Sequence, residues 1–176
     1  VARSVCFRRE AGTYGKDTRG LYRVHQFQKV EQVILDVADK ARSIEHHHAI
    51  VKNAEDMLVA FELPYRVVAV CGGDLGVPQA FKYDIETWMP SRNGYGETHS
   101  ASRFYDYQAR RLELRYRPKD GGKPLVCHTL NNTVAASPRL LIPLLENHQN
   151  ADGTVRIPPA LRPYLGGRAV IGKPLA

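Results

Sequence analysis

Between residues 7 and 31 the chain reads FRREAGTYGKDTRGLYRVHQFQKVE, two alternating stretches separated by a loop rich in Gly and basic residues. Alternation at period two marks a strand, and a polar loop between two such stretches closes an antiparallel pair. In the second stretch Arg23, His25, Phe27, Lys29 and Glu31 fall on one face, with Tyr22, Val24, Gln26, Gln28 and Val30 on the other. In the first stretch Arg8 and Glu10 share a face. A lone Phe among cations and carboxylates suits a pocket in which a flat ring stacks, a phosphate meets Arg and an amine meets a carboxylate. The alternative at this point is an amphipathic surface hairpin.

Downstream the period changes. Across residues 36–63, Ile50, Val51, Ala54, Met57, Leu58 and Phe61 recur at three- and four-residue steps, which predicts an amphipathic helix stopped by Pro64. Residues 65–71 (YRVVAVC) read as a buried strand and residues 82–89 (KYDIETWM) as an alternating one. Residues 109–117 (ARRLELRYR) alternate again, Asp120-Gly121-Gly122 is a hairpin turn, and residues 125–130 return as a strand. Ser137-Pro138 predicts an N-cap followed by proline at the first helical position, with the helix running to about Gln149 and kinked by Pro143 near Arg139. Residues 152–176, rich in Pro and Gly, predict little regular structure. Strands joined by hairpins with two helices predict an α+β fold, an antiparallel β-sheet flanked by helices.

A length of 176 residues suits one domain. No apolar run approaches the ~20 residues of a membrane span, and the amino terminus lacks a secretory pattern. Cys6, Cys71 and Cys127 are widely spaced, which points to a reducing compartment and predicts a soluble, cytoplasmic protein. A formal net charge of +7 favours an anionic partner such as nucleotide phosphates or nucleic acid. The chain opens on Val1 and is in strand-like sequence by Val5, as expected of a fragment of something longer.

Two more constellations carry chemistry. Glu97-Thr98-His99-Ser100 places a carboxylate and a hydroxyl three residues apart, within reach of one hard cation; Mg²⁺ takes oxygen ligands shared with nucleotide phosphates. Asn131-Asn132-Thr133 precedes a helix whose first turn holds Arg139, where the helix terminus and a guanidinium both favour an anion.

Taken together these pieces resemble the class II aminoacyl-tRNA synthetases: Phe7-Arg8-Arg9-Glu10, a loop, then Arg23-x-x-x-Phe27 resembles motif 2, and the helix carrying Arg139 resembles motif 3. CGGDLG, DIETWMP, YGETHSAS, YQARRLELRYR, HTLNNTVAASPRLLIPLLENHQ and LRPYLGG are similar to the seryl-tRNA synthetases in particular, in order from about residue 5 to residue 167. The resemblance implies activation of L-serine with ATP and Mg²⁺ to seryl-adenylate and pyrophosphate. Transfer to tRNA(Ser), and to tRNA(Sec), then follows, in a protein that is a homodimer at full length. It implies that Arg8 holds the α-phosphate and the serine carboxylate, Glu10 accepts from the adenine amino group, and Phe27 stacks under adenine. Arg9, Arg23, Val24, His25 and Gln26 belong to the same ATP site. The loop over residues 11–21 closes on ATP and reaches the tRNA acceptor end. Glu97, Thr98, His99 and Ser100 line the ATP site, Glu97 and Ser100 holding Mg²⁺. Arg139 clamps the γ-phosphate; Glu31, Asn131 and Thr133 join Arg8 at serine. The family places a tRNA-binding arm, motif 1 and a serine-contacting Thr-x-Glu loop ahead of motif 2. The chain is therefore expected to be the motif 2-to-motif 3 part of a catalytic domain, with weak tRNA charging by itself. Arg103 stands where many members have Asn. Two rivals are an amino-acid ligase that loads a carrier protein and a non-catalytic nucleotide- or RNA-binding paralogue.

Other features suggest less. Three consecutive helical residues point about 100° apart, so His46, His47 and His48 are read as a solvated helix face and not as metal ligands. The cysteines are read as small buried residues. Arg110, Arg111, Arg115 and Arg117 are read as salt-bridged strand positions, with RNA contact the alternative. Gly72-Gly73 lacks dinucleotide-binding spacing.

Overall fold

A computed structural model describes residues 1–9 and 20–172. Glu10 and the loop over residues 11–19 lie outside the described residues.

Six strands form one antiparallel sheet in the order β1-β2-β8-β5-β4-β3. They are β1 (Ala2–Phe7), β2 (Gln26–Asp36), β3 (Tyr65–Ala69), β4 (Phe81–Met89), β5 (Gly94–Tyr105) and β8 (His128–Ala136). The expected opening pair is present, Phe7 lying opposite Gln26 and Ala2 opposite Glu31. It differs in two ways from the period-two reading. β1 ends at Phe7 and β2 begins only at Gln26, so residues 22–25 are bend and irregular backbone rather than strand. β2 also runs on to Asp36, where the helix was expected to start, because β8 supplies ladder partners down to His128.

The helix α1 (Lys40–Ala60) starts at an Asp39 N-cap, whose Oδ1 accepts from the Arg42 amide at 3.1 Å. Its expected apolar face is the buried one. Val51, Ala54 and Leu58 join Leu63, Ile85, Ala101 and Leu140 in one core cluster, with Met57 and Phe61 packed against it. The side chains of Gln32 and Asn132 both donate to the Ile50 carbonyl, at 3.1 and 2.6 Å, tying the helix to β2 and β8. The solvated reading of the histidines fails at His47, which is fully buried with Nε2 3.0 Å from the Ala101 carbonyl. His48 is exposed, and His46 meets Asp36 at 2.7 Å.

Residues 109–117 are not a strand. The chain turns at Tyr105 (φ 48°) into α2 (Tyr107–Arg111), and only β6 (Arg115–Tyr116) pairs, with β7 (Leu125–Val126). Arg110 pairs with Asp106 one helical turn earlier, and Arg111 stacks on Tyr107. The helix α3 (Ser137–Asn147) is capped by Ala136, one residue earlier than expected; Ser137 Oγ instead accepts from the Gln28 amide at 3.2 Å. α3 continues through Pro143, which has no N–H to offer the Arg139 carbonyl. The tail carries more structure than composition suggested. β9 (Val155–Arg156) pairs with β10 (Val170–Ile171) around a 3₁₀ segment, Pro159–Leu165. Of the cysteines, only Cys127 is buried, and Cys71 is exposed. Among the described residues no helix is long and apolar enough to cross a membrane.

Candidate active site

The candidate site lies on the sheet at β2, β8 and β5. Alternation sets Phe27 and Lys29 on one face of β2. Ala136 lies opposite Lys29, Thr133 opposite Glu31 and Asn131 opposite Val33, so Asn131, Thr133 and Glu31 share that face. In a regular strand residues 133 and 136 would point to opposite sides. They do not, because Val30 pairs with Ala135 and Glu31 with Thr133, leaving Val134 as an extra residue. β5 carries a matching bulge: Ile85 pairs with His99 and Glu86 with Glu97, so Thr98 is extra. That insertion puts Glu97 and Ser100 on the same side.

An open cleft results. Its walls are Phe27 and Lys29, Glu97, Thr98 and Ser100, Thr133 and Ala136, Pro138 and Arg139, with Arg8, Tyr22 and Val24. Arg8 is aligned by its own amide, which donates to the His25 carbonyl at 2.7 Å, and its guanidinium lies 5.4 Å from the Phe27 ring centre. Arg139 projects from the first turn of α3. Its Nη1 is 3.2 Å from the Glu97 carbonyl oxygen and 3.1 Å from Glu97 Oε1. Lys29 Nζ approaches Glu31 Oε2 to 2.7 Å, yet that buried oxygen has no hydrogen-bond donor aligned on it.

His99 is placed differently from expectation. It is 1 % exposed and does not line the cleft. Its Nε2 lies 2.8 Å from the Val134 carbonyl and its Nδ1 2.8 Å from Thr98 Oγ1, so one imidazole links the two bulges. Burial pushes its pKa down to about 4, against the opposing pull of the Val134 carbonyl, and the ring is neutral at physiological pH.

Arg9 is exposed and outside the cleft lining, His25 is exposed, Arg23 is half-buried outside the lining, and Gln26 lines a separate, more apolar hollow that shares Phe27 and Val24 with the cleft. Arg103, also outside the cleft, lies between the Phe81 and Tyr105 rings. Four lining residues escaped the sequence reading of the site: Lys29, named there only as a face residue, Tyr22, assigned to the opposite face, Pro138, named only as a helix start, and Ala136. Tyr22 sits in the bend before β2, where alternation does not apply. Ser100 and Glu97 supply hard oxygen donors on one wall, a set that fits Mg²⁺. Among the described residues no group of three or more His, Cys, Asp or Glu forms a metal cluster.

The family model for the tRNA synthetase class II core domain (G, H, P, S and T) matches residues 1–148. The chain belongs to this class II family. It is 59% identical over 172 residues to the serine–tRNA ligase of Deinococcus radiodurans, covering 98% of this chain and 40% of that protein. The Pyrococcus furiosus serine–tRNA ligase is 51% identical over 171 residues, covering 97% of this chain and 37% of that one. The crystal structure of seryl-tRNA synthetase from Pyrococcus horikoshii complexed with ATP superposes with a TM-score of 0.90 at 50% identity, over 99% of this chain and 38% of that one. Prolyl-tRNA synthetase of Giardia lamblia shares the fold, with a TM-score of 0.76 at 15% identity, over 92% of this chain and 31% of that one. The chain thus spans about two fifths of the length of the curated relatives it matches.

Proposed function

We propose that this chain is the ATP- and serine-binding part of a serine–tRNA ligase, which activates L-serine as seryl-adenylate and passes it to tRNA(Ser) and tRNA(Sec). The observation that carries the proposal is the convergence of Arg8, Phe27, Glu97, Ser100, Thr133 and Arg139 on one cleft, in a chain 50% identical to a synthetase solved with ATP. Adenine stacks on Phe27, which places the α-phosphate beside Arg8. The serine carboxylate oxygen bonds to the α-phosphorus as the bond to the β-phosphate oxygen breaks, releasing pyrophosphate. Attack brings two anions together, and Arg8 offsets both; Arg139 takes up the charge that gathers on the leaving group. No side-chain nucleophile or base is required, so positioning carries the rate. Glu97 and Ser100 hold Mg²⁺, which when bound neutralises phosphate charge. Serine itself lies against Glu31, Asn131 and Thr133, its ammonium pairing with the Glu31 carboxylate. A cytoplasmic location and a homodimeric full-length protein belong to the same reading; the free cysteines support the first.

The test replaces the matching segment of the D. radiodurans ligase with this chain and measures ATP–pyrophosphate exchange. Exchange dependent on serine, and much weaker with alanine or threonine, is expected. ATP binding without exchange would overturn the proposal in favour of a non-catalytic paralogue.

A further inference from the structure

Tyr22 has no place in the ligand assignments above, yet it touches the residue on which the triphosphate depends. The Arg139 guanidinium carbon lies 4.6 Å from the Tyr22 ring centre. The Tyr22 hydroxyl donates to the Glu97 carbonyl at 2.9 Å, the same oxygen that accepts from Arg139 Nη1 at 3.2 Å. Gly96 permits this seat, because a Cβ there would come within 3.3 Å of Tyr22 Cε2 and 3.0 Å of the Met89 sulfur. Arg139 is therefore held in three ways: by the Tyr22 ring, by the Glu97 carbonyl and by the Glu97 carboxylate.

The three holds are not equivalent. A carboxylate occupies the edge N–H groups that a phosphate needs, and a cation at Glu97 draws that carboxylate away. An aromatic ring holds a guanidinium through its flat face and leaves the edge donors to an anion. We propose that Tyr22 is a positioning residue for nucleotide binding: its ring keeps the Arg139 guanidinium aimed at the terminal phosphates of a bound nucleoside triphosphate while the Glu97 carboxylate is engaged elsewhere. The inference rests on the reading of Arg139 as the phosphate clamp.

Calorimetric titration of the 176-residue chain with ATP and with AMP separates the possibilities. AMP lacks the phosphates that Arg139 meets, so the ATP-to-AMP affinity ratio reports the clamp, whereas damage to the fold weakens both ligands. Tyr22→Leu is expected to reduce ATP affinity roughly tenfold with AMP affinity unchanged, from the strength of a desolvated cation–π contact. Tyr22→Phe keeps the ring and is expected to hold the ratio within about twofold of the unaltered chain. If Tyr22→Leu does not fold, Tyr22→Met takes its place with the same expectation. Equal losses for ATP and AMP, or no loss, in the non-aromatic variant would overturn the proposal. Arg139→Ala separates the two layers of the argument. If it abolishes the ratio while Tyr22→Leu preserves it, only the role of Tyr22 fails. If Arg139→Ala leaves the ratio intact, or the unaltered chain binds ATP and AMP equally, the clamp reading fails and the proposal falls with it.

Discussion

Replacing Thr98 by Val removes one hydroxyl from the centre of the β5 bulge and changes little in shape. Thr98 Oγ1 lies 2.8 Å from His99 Nδ1, 2.7 Å from Thr87 Oγ1 and 3.2 Å from the Ile85 carbonyl. The Val134 carbonyl can only accept, so His99 Nε2 carries the ring proton and Nδ1 is an acceptor. Thr98 then donates to Nδ1 and accepts from Thr87. Thr87, Thr98 and His99 are all at most 3 % exposed, so water cannot replace a lost partner. The Val side chain leaves two groups orphaned, the Nδ1 lone pair and the Thr87 hydroxyl, at about 1–3 kcal/mol each. Allowing the Thr87 hydroxyl to turn toward another acceptor, the expected loss is about 2–4 kcal/mol. Urea unfolding of the chain measures it as a fall in midpoint at constant slope. The double variant Thr87→Val/Thr98→Val removes the second orphan and is expected to cost at least about 1 kcal/mol less than the sum of the single losses. A loss below about 0.5 kcal/mol for Thr98→Val, or strict additivity in the double variant, would refute this account of the bulge.

Acidification tests the neighbouring ring. Unfolded His99 takes a proton near 6.5, whereas in the fold burial holds the pKa to about 4, so the unfolded chain binds more protons between those values. Stability is therefore lost as pH falls from about 6.5 toward 4, by about 3 kcal/mol, with buried His47 adding a loss of the same sign; urea midpoints across that range, flatter in His99→Gln, check it. Leu58→Ala empties a fully buried position in the core cluster and is expected to cost about 2–5 kcal/mol in the same assay. Phe27→Ala is expected to weaken ATP and AMP alike, roughly tenfold by calorimetry, because base stacking does not depend on the phosphate tail.

The elements that sequence reasoning placed well are those whose pattern is local. The buried stripe of α1 and the alternation of β4 both follow from side chains repeating at the period of their own element. The misplaced boundaries depend on partners far along the chain. β2 holds residues 32–36 because β8 lies beside them, and no feature of that stretch alone forbids a helix. Residues 109–117 mislead in the opposite direction, since their alternation is real; the better signal was the Asp106–Arg110 pair at helical spacing. His47 looks like its two neighbours in sequence and is buried because it reaches Ala101 and Phe81 as well as Tyr83, whereas His48 approaches Tyr83 from the exposed side of the helix.

The same distinction separates the two halves of the candidate site. Arg8, Phe27 and Arg139 were legible on recognisable motifs; Glu97, Ser100 and Thr133 were named beside them, but the geometry that brings those three into the cleft was not legible. Glu97 with Ser100, and Thr133 with Ala136, are spaced by three on strands, where period two sends the members of each pair to opposite faces. Only a bulge in each strand reunites them, and a bulge depends on how two strands register, which neither sequence segment encodes alone. Each bulge leaves a backbone irregularity that must be satisfied in the interior. His99 satisfies the Val134 carbonyl at the β8 bulge and bonds the Thr98 side-chain hydroxyl at the β5 bulge, so one ring touches both. The family resemblance placed it in the ATP site, whereas its burial and its partners join the two walls of the cleft. The ligand-facing chemistry thus depends on a residue that need not touch the ligand.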